Sequence, residues 1–137
     1  MAATKDLNTE ELAPGRKRGL GLATNQVIHA GTIACVNSSG WCVKGATSAT
    51  LRTVGVFRQR YDSTGIANGG LVAEPEIGVF GPFKNSASAD EITNADIGTT
   101  CYVVDDETVA KTHNSNARSA AGRVWQVTAA GVWVDFR

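Results

Sequence analysis

The chain has 137 residues and a mass of 14.3 kDa, the size of one domain and enough to bury a self-sufficient core without metals or disulfides. Thirteen basic residues balance thirteen acidic ones, so bulk charge argues for neither nucleic acid nor an anionic membrane as partner. No window approaches the roughly 18 apolar residues of a membrane span, and the opening MAATKDLNTEE lacks the apolar run of a secretory leader.

The first two dozen residues differ from the rest. Asn8-Thr9-Glu10-Glu11-Leu12 has the make-up of a capped helical turn, Pro14-Gly15 ends it, and Arg16-Lys17-Arg18 follows. Gly19-Leu20-Gly21-Leu22 has no core-forming period. Residues 1–24 therefore read as an N-terminal arm, and a basic cluster on such an arm suits an acidic protein surface or phosphate.

From Gln26 the pattern is β. Three segments share one layout, a short apolar strand, four turn residues and a second strand: Val36-NSSG-Trp41, Val104-DDET-Val109 and Val127-TAAG-Val132. Four-residue hairpin loops are built around turns that Asn, Asp, Ser and Gly favour. In the third, pairing Val127 with Val132 also pairs Trp125 with Val134 and puts Phe136 on their face, with Val124 and Trp133 on the other. In the first, the same register pairs Cys35 with Cys42 across the hairpin. Six residues separate those cysteines, and Cys101 is far along the chain, which fits neither a zinc site nor a required disulfide. Three cysteines cannot all pair within one chain, and the thiols read as small reduced hydrophobes in a cytoplasmic setting.

Each of the first two hairpins is followed by a Gly-led strand, Thr53-Val54-Gly55-Val56-Phe57 and Ala121-Gly122-Arg123-Val124-Trp125, which suggests two similar halves within residues 25–137. Arg52, Arg58 and Arg60 add positive charge after the first hairpin. If Phe57 points inward along a strand, Arg58 and Arg60 point outward together and make a basic edge. Only Ser88-Ala89-Asp90-Glu91 resembles a helix start. The expected fold is all-β, a small barrel or sandwich of short antiparallel strands with an extended N-terminal arm and at most one or two helical turns.

Reactive constellations are not evident. His29 and His113 stand alone, no Gly-x-Ser-x-Gly elbow is present, and Asp105-Asp106-Glu107 are consecutive at a hairpin tip, unlike the alternating ligands of a calcium loop. No dinucleotide fingerprint is completed. The expectation is a non-enzyme without catalytic, cofactor or metal residues, whose candidate partner-interface residues are Arg16, Lys17, Arg18, Arg58 and Arg60.

The stretch Ala95 to Thr112, then Ala121-Gly-Arg-Val124 and Gly131-Val-Trp-Val-Asp135, resembles the small decoration (cement) proteins of tailed-bacteriophage capsids. The likeness spans residues 26–136 and is strongest from 95 onward. It lies in turn glycines and strand residues: Gly, an aromatic-Val strand, an acidic turn, Thr-Val, a Gly-led strand and a final Val-rich strand. The resemblance implies a compact β domain, often trimeric, seated on the outer capsid, made in the host cytoplasm and carried in the virion. Its partners would be the major capsid protein and copies of itself, with no membrane and no specific nucleic acid. The basic cluster in the arm departs from the family. A carbohydrate- or receptor-reading module of a phage tail or fibre is the alternative.

Overall fold

A computed structural model describes residues 4–7 and 15–137. Its strands are β1 (Leu20–Gly21), β2 (Val27–Ile28), β3 (Ile33–Val36), β4 (Cys42–Lys44), β5 (Arg52–Val56), β6 (Tyr61–Asp62), β7 (Val72–Ala73), β8 (Val79–Asn85), β9 (Thr100–Val103), β10 (Thr108–Ala110), β11 (Ala120–Thr128) and β12 (Gly131–Asp135). Helical structure among the described residues is confined to two single 3-10 turns, Ser88–Asp90 and Asn94–Asp96. The all-β fold expected from the sequence is the fold observed.

The C-terminal half is a closed barrel with the order β10-β8-β12-β11-β9. Four of its contacts are antiparallel, and β10 meets β8 in parallel, with Thr108 beside Lys84 and Val109 beside Asn85. The one parallel contact follows from parity. Five strands cannot alternate direction all the way round a ring, so one neighbouring pair must run the same way.

The N-terminal half is a three-stranded sheet, β4-β3-β5, flanked by the short ladders β1-β7 and β2-β6. One arrangement occurs in both halves. A hairpin is followed by a strand that returns against the hairpin's first arm, giving β4-β3-β5 and β10-β9-β11. In each, the returning strand carries a glycine pressed on a neighbouring backbone: a Cβ on Gly55 would stand 2.5 Å from the Glu76 carbonyl oxygen, and one on Gly122 would collide with the Asp135 carbonyl.

All four residues of β3 are buried because each face meets a different core. Ile33 and Cys35 join the barrel's interior, with Val103, Val109, Val132, Val134 and Phe136. Ala34 joins a second cluster with Leu22, Ile28, Cys42, Phe57, Tyr61 and Ala73.

Two hairpin registers differ from expectation by one residue. Val36 pairs with Cys42, not Trp41, because the Asn37 side-chain oxygen accepts the backbone N–H groups of Ser39 and Trp41 and draws Trp41 into a five-residue turn. Cys35 therefore faces Val43, and the two thiols point into different cores. Val109 pairs with Val103, not Val104. The third hairpin pairs Val127 with Val132 as expected, but a bulge between Val124 and Gln126 leaves Trp125 as the extra residue. Val124 takes the inward place beside Val134, and Trp125 is 52% exposed instead of buried. The helix start assigned to Ser88 forms one 3-10 turn without a side-chain cap. The reciprocal cap lies five residues on, where the Asp96 carboxylate accepts the Thr93 N–H at 2.8 Å.

Candidate functional site

Residues 15–23, which composition assigns to the arm, run along the body. Lys17 bridges Glu76, the Ile77 N–H donates to the Arg16 carbonyl at 2.8 Å, and Leu20–Gly21 pairs with β7. Glu76 is itself fixed to β5 by two backbone bonds with Val56, each 2.9 Å. The stretch thus meets the central sheet at both edges, through Glu76 at β5 and through Leu22 and Ala23 at Cys42 of β4. Arg16 Nη2 donates to Glu76 Oε1 at 2.9 Å, which holds its guanidinium at the surface.

From the other half comes the end of β12. The Phe136 N–H donates to the Gly78 carbonyl at 2.8 Å. Arg137 grips Asp135 with its backbone N–H and Nε, both at 2.9 Å to Oδ1, and with Nη2 at 3.2 Å to Oδ2. Those bonds hold the Asp135 carboxyl below its usual range and raise Arg137 above its own.

Between the arm and this C-terminal stretch lies a groove of about 430 Å³. Its rim is Arg16, Lys17, Arg18 and Arg137, and its floor is Val54, Pro75, Ile77 and Phe136, completed by Gly15 and Thr53. Among the described residues four cationic side chains line it and no carboxylate side chain does. A second depression of about 410 Å³ shares Thr53, Phe136 and Arg137 and continues to Thr100 and Arg123, so the two form a trough along the seam between the halves.

Arg16, Lys17 and Arg18 are therefore brought together, all exposed. Arg58 and Arg60 stand elsewhere than expected. β5 ends at Val56, so both belong to the loop before β6 and form no strand edge. Phe57 is buried, as the basic-edge reading supposed, but not along a strand. Arg58 stacks on Phe80, 4.8 Å from the ring centre, and shares a small cleft with Lys17 and Glu74. Arg60 is exposed and outside the groove. Sequence reasoning missed Arg137, Phe136 and Ile77. Arg137 follows Asp135 by two residues on one face of a strand, a local signal for an ion pair but not for a groove.

The remaining candidate chemistry is structural. Burial pushes Cys35 up to about 11 and Cys42 and Cys101 to about 12, so each is a thiol at neutral pH. His113 Nδ1 accepts the Asn116 N–H at 2.9 Å and its ring meets Tyr102 edge-on, whereas His29 is exposed. At the acidic tip, Asp105 accepts the Glu107 N–H and Glu107 pairs with Lys84. Among the described residues no three His, Cys, Asp or Glu side chains converge as a metal site would need, and no helix is long and apolar enough to cross a membrane. No protein-family model matches the chain, and neither a curated protein nor a solved structure is significantly similar to it.

Proposed function

We propose that this protein is a structural virion component, a decoration or cement protein that binds the major capsid lattice of a tailed phage and associates as a homotrimer. One observation carries the reading. The segments whose residue pattern resembles decoration proteins, 95–112, 121–124 and 131–135, supply four of the five strands of one closed barrel. A closed barrel is stiff and leaves no free strand edge in its wall. Lattice symmetry multiplies modest contacts into strong attachment, so the task is adhesive and requires no reacting group.

The test is co-sedimentation of the purified protein with phage shells lacking their own decoration protein, together with a mass measurement in solution. Saturable pelleting and a particle of three chain masses are expected. Protein that stays in the supernatant at every ratio overturns the proposal. Deletion of residues 1–20 is a poor probe, because it removes the Lys17 bridge and Leu20 of β1; paired Lys17→Glu and Arg18→Glu substitutions leave the backbone intact.

One observation favours a tail or fibre module instead. Trp125 is 52% exposed at a bulge, with the Arg137 guanidinium 5.8 Å from its ring centre, and an exposed indole is a platform for sugar rings. A saturable shift in Trp fluorescence on adding glycans, abolished by Trp125→Ala, would support that reading over the first.

A further inference from the structure

We infer that the seam groove binds an extended acidic peptide segment of a partner protein, its carboxylates on the rim cations and its apolar side chains on the floor. The inference concerns ligand chemistry and holds for whichever protein carries the segment, so it does not depend on the capsid reading. Three observations lead to it. The first is charge. Of the two carboxylates that touch rim cations, Glu76 lies outside both linings and braces Arg16, whereas Asp135 lines the second depression and braces Arg137. Among the described residues Lys17 and Arg18 have no carboxylate partner. Counting both braces, four rim cations face two anionic side chains among the described residues, and an incoming carboxylate meets net positive charge there.

The second is the floor. Val54, Pro75 and Ile77 are aliphatic, and Phe136 is only 8% exposed. Single-stranded nucleic acid needs exposed aromatic faces on which bases stack, and the floor offers none. Desolvated aliphatic side chains between acidic residues fit it better. The third is shape. The depressions join at Phe136 and Arg137 into a trough, which suits an extended chain laid along the seam rather than a compact ligand.

The experiment measures anisotropy of fluorescein-labelled acetyl-EELFEE against the full chain, with EESSEE, KKLFKK and an oligothymidylate as controls. EELFEE is expected to saturate with a Kd of about 100 µM or tighter. Its affinity should fall several-fold when salt rises from about 50 to about 300 mM. Each control should bind at least about tenfold more weakly. The Lys17→Glu, Arg18→Glu pair should weaken EELFEE by about tenfold with an unchanged unfolding midpoint, and Arg18→Gln alone by about threefold should the pair disturb the arm. Oligothymidylate binding as tightly as EELFEE overturns the inference in favour of nucleic acid. It is equally overturned by EESSEE matching EELFEE, by indifference to the rim substitutions in folded protein, or by no saturable binding.

Discussion

Gly55→Ala is the substitution that most directly tests how the arm is held. Gly55 sits at φ +139, where side chains are strained by about 1–3 kcal/mol. An added Cβ would also stand 2.5 Å from the Glu76 carbonyl oxygen and 2.9 Å from its carbon, both backbone atoms that cannot swing aside. Relieving that contact means moving Glu76 off β5, which strains the two 2.9 Å bonds with Val56. Overpacking of this kind adds about 1–3 kcal/mol. A total near 4 kcal/mol is a large share of the roughly 5–15 kcal/mol expected for a domain. It should lower Tm by roughly 12–20 °C at this size. Gly65→Ala is the control: its φ is +74 and nothing lies within 4 Å of the added Cβ, so only the conformational term of about 1 kcal/mol applies. Urea unfolding followed by Trp fluorescence gives both losses. Limited trypsin digestion gives a second readout, because release of Glu76 loosens residues 16–18 and should speed cleavage at Arg16, Lys17 and Arg18 in Gly55→Ala only. Equal stability losses in the two variants, or unchanged trypsin sensitivity, would refute the idea that close backbone approach at Gly55 fastens the arm.

Ile33→Ala empties a fully buried site where the central sheet meets the barrel, and should cost about 2–5 kcal/mol in a single urea transition; two separate transitions would show that the halves unfold independently. The thiols should resist Ellman's reagent in the folded protein and titrate as 3 equivalents in denaturant, and rapid labelling of the native state would contradict their burial. Acid should destabilise the fold. Asp62, Asp90, Asp96 and Asp135 are all held low, chiefly by hydrogen bonds from Thr64, Thr112, Thr93 and Arg137 respectively, so they favour folding above the unfolded carboxylate value of about 3.9 and lose that contribution as pH falls through their folded values. Asp106, raised by burial, opposes them. The urea midpoint should fall between pH 5 and pH 3, and a rising midpoint would reverse the argument.

Alternation made part of the barrel legible from the sequence. Val132, Val134 and Phe136 point inward as period 2 requires, and Val127 meets Val132 as the turn residues imply. Trp125 escaped because a bulge has no reliable local signature; here it lies beside Gly122, whose contact with Asp135 fixes where β11 and β12 draw together. The first hairpin failed for a local reason, since an Asn side chain accepting two backbone bonds lengthens a turn that its length alone makes look shorter. The parallel β8-β10 contact is a property of ring closure, visible only once the strand number is known. The groove was half legible. Its cations announce themselves as Arg16-Lys17-Arg18, but its floor comes from β5, from residues 75–77 and from the end of β12, segments far apart along the chain.

The way the sheet is finished connects these points. The barrel hides every edge of its own strands, whereas the central sheet leaves β5 with an outer edge that invites uncontrolled pairing. Glu76 covers that edge with two backbone bonds, and Lys17 covers Glu76 in turn, so the last layer is a short segment carrying three consecutive cations. Further strand addition there is discouraged by charge repulsion from any similar basic segment and favoured only for an acidic one. On the groove proposal, the residues that protect the sheet are also the residues that select the partner. A partner that binds the arm also tightens the Lys17–Glu76–Val56 chain of contacts, so occupancy of the groove should raise the stability of the central sheet by mass action.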